Sequence, residues 1–121
     1  MSEDDKPYID GYVAAIPEKN KDAYLKIAKE AAAIFRDHGA LQVVETWGDD
    51  VPDGEITSFP KAVNANDDEV VMFAWIVWPS KAERDKGNEA AMQDPRLQGP
   101  PIPLFDSKRM IYGGFQVLLD E

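Results

Sequence analysis

Four segments of this chain carry the hydrophobic pattern of β-strands. Residues 8–16, 41–47 and 111–119 are rich in Tyr, Ile, Val, Phe or Trp, the residue types that strands favour. Residues 70–78 are apolar almost throughout, as in a strand that is covered on both of its faces. Pro17 lacks a backbone N–H and therefore ends the first of these segments.

Two other segments have the spacing of amphipathic helices. The first is expected to begin near Asn20, a typical N-cap residue, and to end at Gly39, which can adopt a positive φ. The second begins at Ser80, whose spacing from Glu83 predicts a reciprocal capping box, and it contains Gly87, which costs about 1 kcal/mol relative to alanine. The apolar stripe of the first helix consists of Tyr24, Ile27, Ala28, Ala31, Ile34 and Phe35.

The order strand, helix, strand, strand, helix, strand predicts an α+β fold of the ferredoxin-like βαββαβ type. Such a fold has a four-stranded antiparallel sheet with both helices on one face. We expect one domain at residues 8–121, preceded by a disordered acidic start at residues 1–7. Residues 48–65 are predicted to form a loop, and the proline-rich residues 98–103 a stiff connection.

The third predicted strand is apolar on both faces, although the chain provides helices for only one. Left uncovered, the second face would exceed the few hundred Å² of apolar patch that soluble monomers tolerate. We therefore expect a second copy to cover it, sheet on sheet, in a symmetric homodimer with the form of a dimeric α+β barrel. The two faces consist of Val70, Met72, Ala74, Ile76 and Trp78, and of Val71, Phe73, Trp75 and Val77.

Composition excludes several classes of protein. The 23 acidic and 13 basic side chains give a net charge of -10, which repels nucleic acid and anionic lipid. No apolar run approaches the roughly 20 residues of a membrane-spanning helix, and the acidic start does not resemble a secretory signal. The chain has no cysteine, so disulfides, thiolate metal sites and cysteine nucleophiles are excluded. We expect a soluble, cytoplasmic protein without a nucleic-acid or membrane partner.

Three segments resemble the YbaA-like family of small bacterial proteins of unknown function. They are WGDDVPDG at 47–54, WIVWPSK at 75–81 and KRMIYGGF at 108–115, in the same order along nearly the whole chain. The resemblance implies the dimeric α+β barrel fold, but it brings no established reaction and no catalytic residues. Proteins with this barrel include cofactor-free monooxygenases, haem-degrading enzymes, isomerases and ligand-sensing domains, so the fold leaves the function open.

Strand parity selects candidate site residues. Apolar content assigns Ile9, Gly11, Val13 and Ala15 to the helix-covered face and leaves Tyr8, Asp10, Tyr12 and Ala14 facing the second sheet.

An intersheet cleft would then contain Asp10, Tyr12, Glu45 and Tyr112. Two carboxyls in such a cleft can differ in pKa and act as general acid and base. The alternative is that Asp10 and Glu45 form structural ion pairs with Arg109 or a lysine at the dimer seam.

His38, the only histidine, is a further candidate for a base or a ligand. Its position near a helix end is equally typical of an interaction with the helix dipole, and one histidine does not make a multi-histidine zinc site. The acidic residues of the loop at 49–55 lack calcium-loop spacing and predict a solvated turn. Nucleotide-binding glycine motifs and a nucleophile elbow are absent from the sequence. We expect no cofactor and no metal.

Three functions fit this sequence. The first is binding of a small organic molecule between the two sheets of a homodimer. The second is a cofactor-independent, oxygenase-like or isomerase-like enzyme that uses its carboxylates and tyrosines for proton transfer. The third is a non-catalytic structural or interaction protein whose barrel is filled by its own side chains. Whether the protein is an enzyme stays open at this point.

Overall fold

A computed structural model of the chain describes residues 6–97 and 103–121. Residues 1–5, most of the predicted disordered start, lie outside the described residues, as do residues 98–102 of the predicted stiff connection. Pro7 is described, and its carbonyl accepts a hydrogen bond from the Val117 N–H at 3.4 Å. The start of the domain is therefore tied to the end of its last strand.

The predicted ferredoxin-like βαββαβ fold is confirmed. Its four strands form one sheet in the order β2-β3-β1-β4, and all neighbouring strands are antiparallel. Both long helices, α1 and α3, pack against the same face of this sheet. No helix within the described ranges is long and apolar enough to cross a membrane. The elements are β1 (Tyr8–Pro17), α1 (Lys21–Asp37), β2 (Gln42–Trp47), α2 (Phe59–Ala62), β3 (Glu69–Trp78), α3 (Lys81–Met92) and β4 (Ile111–Gln116).

Two predicted boundaries are corrected. The segment 48–65 is not all loop, because Ser58 accepts a hydrogen bond from the Lys61 N–H at 3.2 Å and caps α2. Pro60 lies in the first turn of α2, where the missing N–H costs nothing. Strand β4 ends at Gln116 rather than at 119, because Gln116 pairs with Tyr8, the first residue of its only partner strand.

The helix termini follow the predicted signals in most respects. Ser80 Oγ accepts from the Glu83 N–H at 3.1 Å, which confirms its half of the capping box. Gly39 has a φ of 111° just beyond α1. Asn20 occupies the N-cap position of α1, but its side chain donates to the Leu104 carbonyl at 2.8 Å instead of capping the helix. This bond ties the start of α1 to the segment before β4.

The core under the helices is centred on Trp78, which is 0% exposed. The ring of Phe35 from α1 meets it edge to face, with centroids 6.3 Å apart. Gly87 of α3 lies over the same indole, so that a methyl group there would be 2.2 Å from Trp78 Cζ3 and 2.7 Å from the His38 carbonyl oxygen. Gly87 lowers the intrinsic stability of α3, but its missing side chain allows α3 to approach Trp78 and the end of α1 closely.

The opposite face of the sheet is apolar, as the two-faced third strand predicts, but the chain covers part of it. Val63, just after α2, packs on Val13, Ala15 and Val71 at one end of this face. Phe73 is 41% exposed and Phe115 60% exposed on this face. Trp75 lies between them on the sheet and is partly buried by Phe73, with ring centroids 5.5 Å apart. Trp78 lies under the helices and Trp75 on the opposite face, in agreement with the two faces predicted for the third strand.

Gly87→Ala is expected to destabilise the protein by about 1–3 kcal/mol. Alanine normally stabilises a helix interior by up to about 1 kcal/mol relative to glycine, but here its methyl group overlaps Trp78. Thermal and urea unfolding would measure the change, with Lys86→Ala on the exposed side of α3 as the control. An unchanged or raised stability of Gly87→Ala would contradict the assigned packing.

Candidate functional site

The candidate residues lie on the helix-covered face of the sheet, so their predicted placement between two sheets is wrong. Asp10 pairs with Ile76 and Tyr12 with Ala74, and both β3 residues are buried under the helices. The apolar content of the first strand predicted the wrong face for Asp10. An aspartate can face the helices here because Arg84 of α3 provides its counter-charge on that side. The aliphatic row of β1 is the one that faces away from the helices.

Three of the four candidates form one row across the sheet. Glu45 of β2 pairs with Ala74 of β3, Ala74 with Tyr12 of β1, and Tyr12 with Tyr112 of β4. Neighbouring strands are about 4.8 Å apart, so the backbones of Glu45 and Tyr12 are separated by about 10 Å. The small Ala74 lies between them, and this row forms part of a cleft between sheet and helices.

The cleft holds a cavity of about 330 Å³ between α1 and the sheet. Its walls are mostly apolar, and small side chains oppose each other across it, with Ala28, Ala31 and Ala32 on α1 and Ala74 on β3. A second cavity of about 340 Å³ adjoins it and extends towards α3 and β4. The residues common to both cavities are Tyr12, Phe35, Met92 and Met110.

Glu45 and Tyr24 form a hydrogen-bonded pair at the β2 end of the cleft. Tyr24 Oη donates to Glu45 Oε1 at 2.5 Å. Glu45 is an exposed residue on an edge strand, but the cleft side chains around its carboxyl remove part of its water and raise its pKa, an effect that the Tyr24 hydrogen bond opposes. Burial and the bond to Glu45 raise the pKa of Tyr24 above its usual range. The Tyr24 hydroxyl therefore loses its proton less easily than an ordinary tyrosine. It is hydrogen-bonded to a carboxyl that takes up a proton at a higher pH than an ordinary glutamate.

Tyr12 presents a free hydroxyl to the cleft. Within the described part of the chain, this hydroxyl has no hydrogen-bond partner, and its residue lines both cavities. Burial, together with the charge of Asp10, raises the pKa of Tyr12 to about 12, so the hydroxyl stays a donor at neutral pH. The ring of Tyr112 stacks on Tyr12 with centroids 6.4 Å apart and is 74% exposed at the open end of the cleft.

Asp10 is the centre of a buried polar network. It is 6% exposed, and its Oδ2 accepts from Trp78 Nε1 at 3.0 Å and from Asn88 Nδ2 at 3.2 Å. Arg84 Nε lies 3.2 Å from Asp10 Oδ1. The expected structural partner, Arg109 or a lysine, is therefore wrong, and the partner is an arginine of α3. With three groups already bound to it, Asp10 joins α3 to the sheet.

Gly114 makes room for the arginine of this network. A methyl group on Gly114 would lie 2.2 Å from Arg84 Nη2 and 2.5 Å from Tyr8 Oη. Arg84 Nη2 donates to Tyr8 Oη at 3.1 Å, and the guanidinium lies over the Tyr8 ring at 4.7 Å. Gly113, on the other face, would bring a methyl group only into ordinary contact with Phe115. Of the two adjacent glycines, Gly114 is the one that packing requires.

Arg109 and His38 have structural partners outside the cleft. Arg109 forms two hydrogen bonds with the Glu69 carboxylate, at 2.8 and 2.7 Å, and lowers the pKa of that carboxyl. His38 Nε2 lies 2.8 Å from Asp94 Oδ2, linking the end of α1 to the segment after α3. His38 is thus at the expected helix end, but its ring is paired with a carboxylate.

The described ranges contain no group of three His, Asp or Glu side chains that could hold a metal ion. Sequence reasoning missed two kinds of site residue. Arg84 and Asn88 are four residues apart on α3 and so share one helix face, a spacing that could have indicated a polar contact with the sheet. Tyr24 belongs to the predicted apolar stripe, and only its position opposite Glu45 reveals its polar role.

This chain belongs to DUF1428, a family of proteins of unknown function whose model matches residues 7–107. It is 51% identical over 116 residues to the uncharacterized protein YbaA of Escherichia coli K12, covering 94% of this chain and 98% of that protein. The YbaA protein of Shigella flexneri matches with the same identity and coverage. The resemblance to the YbaA-like family is therefore confirmed.

Two solved structures share the fold at low sequence identity. A dimeric ferredoxin-like protein from an uncultured marine organism aligns with a TM-score of 0.61 at 9% identity, covering 96% of this chain and 99% of that one. A conserved protein of unknown function from Bacteroides thetaiotaomicron, described as a possible oxidoreductase, aligns with a TM-score of 0.52 at 11% identity, covering 94% of this chain and 99% of that one. These likenesses support the ferredoxin-like fold.

Asp10→Ala is expected to lower the free energy of unfolding by about 1–3 kcal/mol, because it leaves the buried Trp78 Nε1 without an acceptor and the half-buried Arg84 with Asp85 as its remaining ion-pair partner. Asp85, which also pairs with Arg84 but is exposed, provides the matched control, and Asp85→Ala should cost less than about 1 kcal/mol. Urea unfolding of both variants measures the difference. Equal stabilities would rule out the anchoring role of Asp10.

Proposed function

We propose that this protein is a homodimer whose protomers each bind a small organic molecule in the cleft between helices and sheet. The observation that carries the proposal is the row from Glu45 to Tyr12, which places an acceptor and a hydroxyl donor without a partner among the described residues along an otherwise apolar cavity. Apolar cavities with a few convergent polar groups are typical of small-molecule sites. The binding site proposed is thus inside each protomer and not between the two sheets.

The homodimer is supported by the exposed part of this second face of the sheet. Val63, just after α2, covers Val13 and Ala15 of β1, and Phe59 packs edge to face on Phe73. Phe73 and Phe115 nevertheless stay 41% and 60% exposed, with the partly buried Trp75 beside Phe73. An apolar surface of this kind typically marks an interface, and a symmetric pair can bury the same patch of both copies. The marine ferredoxin-like protein that shares this fold is itself described as dimeric.

The size and lining of the cleft support the binding of a ligand. A volume of about 330 Å³ falls at the lower end of the range of roughly 300–1,000 Å³ that small-molecule sites occupy. Only part of its polar capacity is used by the protein, since the Tyr12 hydroxyl and Glu45 Oε2 have no hydrogen-bond partner within the described residues. A ligand with a polar group at each end would satisfy both.

Proton transfer by Glu45 is a second candidate function of the same cleft. Its raised pKa is the observation in favour, since a general base works best when its pKa approaches the working pH. The Bacteroides thetaiotaomicron protein with this fold is described as a possible oxidoreductase, which is in keeping with an enzyme. Catalysis requires that a bound compound be consumed, which mass spectrometry of the ligand before and after incubation would detect.

Ala74→Leu is expected to fill the cleft and abolish ligand binding while leaving the fold intact. Ala74 belongs to a buried core cluster, but it also lines the cavity, so the cavity has room for the added side chain. Saturation-transfer NMR with a library of small aromatic and aliphatic compounds would compare this variant with the wild type. Ala82→Leu, at an exposed position of α3, is the matched control. Compounds that bind the wild type and Ala74→Leu equally would place the site elsewhere.

Trp75→Glu is expected to convert the dimer into a monomer, because burying an unpaired carboxylate in an apolar interface costs several kcal/mol. Size-exclusion chromatography with light scattering would show the mass of two chains for the wild type and of one for the variant. Leu25→Glu, on the exposed side of α1, should stay dimeric. A monomeric wild type at micromolar concentration would refute the homodimer without affecting the cleft.

A further inference from the structure

We infer that the ligand of the cleft is a flat, uncharged ring compound whose hydroxyl group donates a hydrogen bond to Glu45. The inference rests on the proposed function and names the chemical class that the cleft would select. Three properties of the cleft lead to it: the shape set by its small residues, the lack of an unpaired cationic group among the described residues that line it, and the position of its unused acceptor.

The shape favours a flat molecule. Ala28, Ala31 and Ala32 of α1 face the sheet, where Ala74 is the corresponding floor. Small side chains on both elements leave space between the helix and the sheet. A ring system can place one face against the alanines of α1 and the other against Ala74.

The side chains around the cavity also suit a ring. Phe35 and Phe105 supply aromatic edges, and Met72, Met92 and Met110 supply thioethers. Sulfur contacts with an aromatic ring are worth about 0.3–1.5 kcal/mol each, and edge-to-face ring contacts about 0.5–1.5 kcal/mol. An aromatic ligand gains both kinds of contact, in addition to the burial of its apolar surface.

The charges around the cleft exclude an anionic ligand. Arg84 is the cationic residue that lines the cavities, and its charge is already paired with Asp10 and with Asp85. A carboxylate or phosphate group would therefore be buried without a counter-charge, and the net charge of -10 opposes its approach. An ammonium group would pair with Glu45, but it carries three N–H donors and the described lining offers one unused carboxylate oxygen, so its other donors would leave water without gaining a comparable acceptor.

The unused polar groups favour a hydroxyl. Glu45 accepts the Tyr24 hydroxyl through Oε1, which leaves Oε2 as an acceptor at the edge of the cavity. A ligand that donates to Oε2 extends its ring over Ala74 towards Tyr12, along the gap of about 10 Å between the two strands. The Tyr12 hydroxyl can then donate to a second oxygen at the far end of the ligand.

Isothermal titration calorimetry at pH 7 with four naphthalene probes tests this class. They are 2-naphthol, naphthalene, 2-naphthoate and 2-naphthylmethylammonium, which share one ring system and differ in hydrogen bonding and charge. We expect 2-naphthol to bind at least about tenfold more tightly than each of the others, which corresponds to about 1.4 kcal/mol. Glu45→Leu should remove its advantage over naphthalene, and Glu45→Gln, which keeps an acceptor oxygen, should retain part of it.

The controls separate this inference from the proposed function. Glu30→Leu, at an exposed position of α1, should bind all four probes as the wild type does. Equal or tighter binding of naphthalene or of either charged probe, with loss of binding in Ala74→Leu, would overturn the hydroxyl class but keep the cleft as the site. Absence of binding by every probe, or binding that Ala74→Leu does not change, would overturn both. Unchanged 2-naphthol binding by Glu45→Leu would overturn the role of Glu45.

Discussion

The hydrogen bond between the Trp78 indole and Asp10 is the constraint on which the rest of this fold depends. A fully buried indole N–H needs an acceptor, and Asp10 supplies one from the neighbouring strand. The buried carboxylate in turn needs a counter-charge, which Arg84 of α3 provides. Once Asp10 faces the helices, the alternation of β1 places Tyr12 on that face too, and the ladder places Glu45 there with it. The hydrogen bond of the Trp78 indole to Asp10 thus determines which polar residues line the cleft.

Local signals in the sequence predicted the helices and strands well. The face that each side of β1 presents and the length of β4 depend on contacts with residues far away in the chain, which the sequence could not predict. Capping at Ser80 and the two-faced third strand depend on residues close in the chain. The parity of β1 does not, because Trp78 is 68 positions from Asp10, and hydrophobicity alone favours hiding Ile9 and Val13 before an aspartate. Strand β4 ends early for a similar reason, since its length is limited by where β1 begins. The cap of α2 at Ser58 is a local signal, but the prediction took Pro60 as a mark of a loop and missed it.

The candidate site also combines features that the sequence predicts with features that depend on long-range contacts. That Asp10, Tyr12, Glu45 and Tyr112 share one face of the sheet follows from alternation and register. The cavity beside Glu45 does not, since it depends on small side chains of α1 and β3, which are far apart in the chain, lining the same space. Nor can the sequence distinguish its two carboxylates. Asp10 is bound by an indole, an amide and a guanidinium, whereas Glu45 has one phenol as its partner, so the first is an anchor and the second is available to a ligand.

The sheet separates the two proposed surfaces. Along β3, Ala74 and Ile76 face the cleft, while Phe73 and Trp75 face the proposed partner, so consecutive residues serve different purposes. No side chain can belong to both surfaces, because strand alternation sends neighbours to opposite faces. Coupling between ligand binding and dimerisation would require the backbone of β3 or β1 to move, and these central strands are paired on both edges. The architecture therefore favours independent free energies for the proposed dimerisation and for the proposed ligand binding.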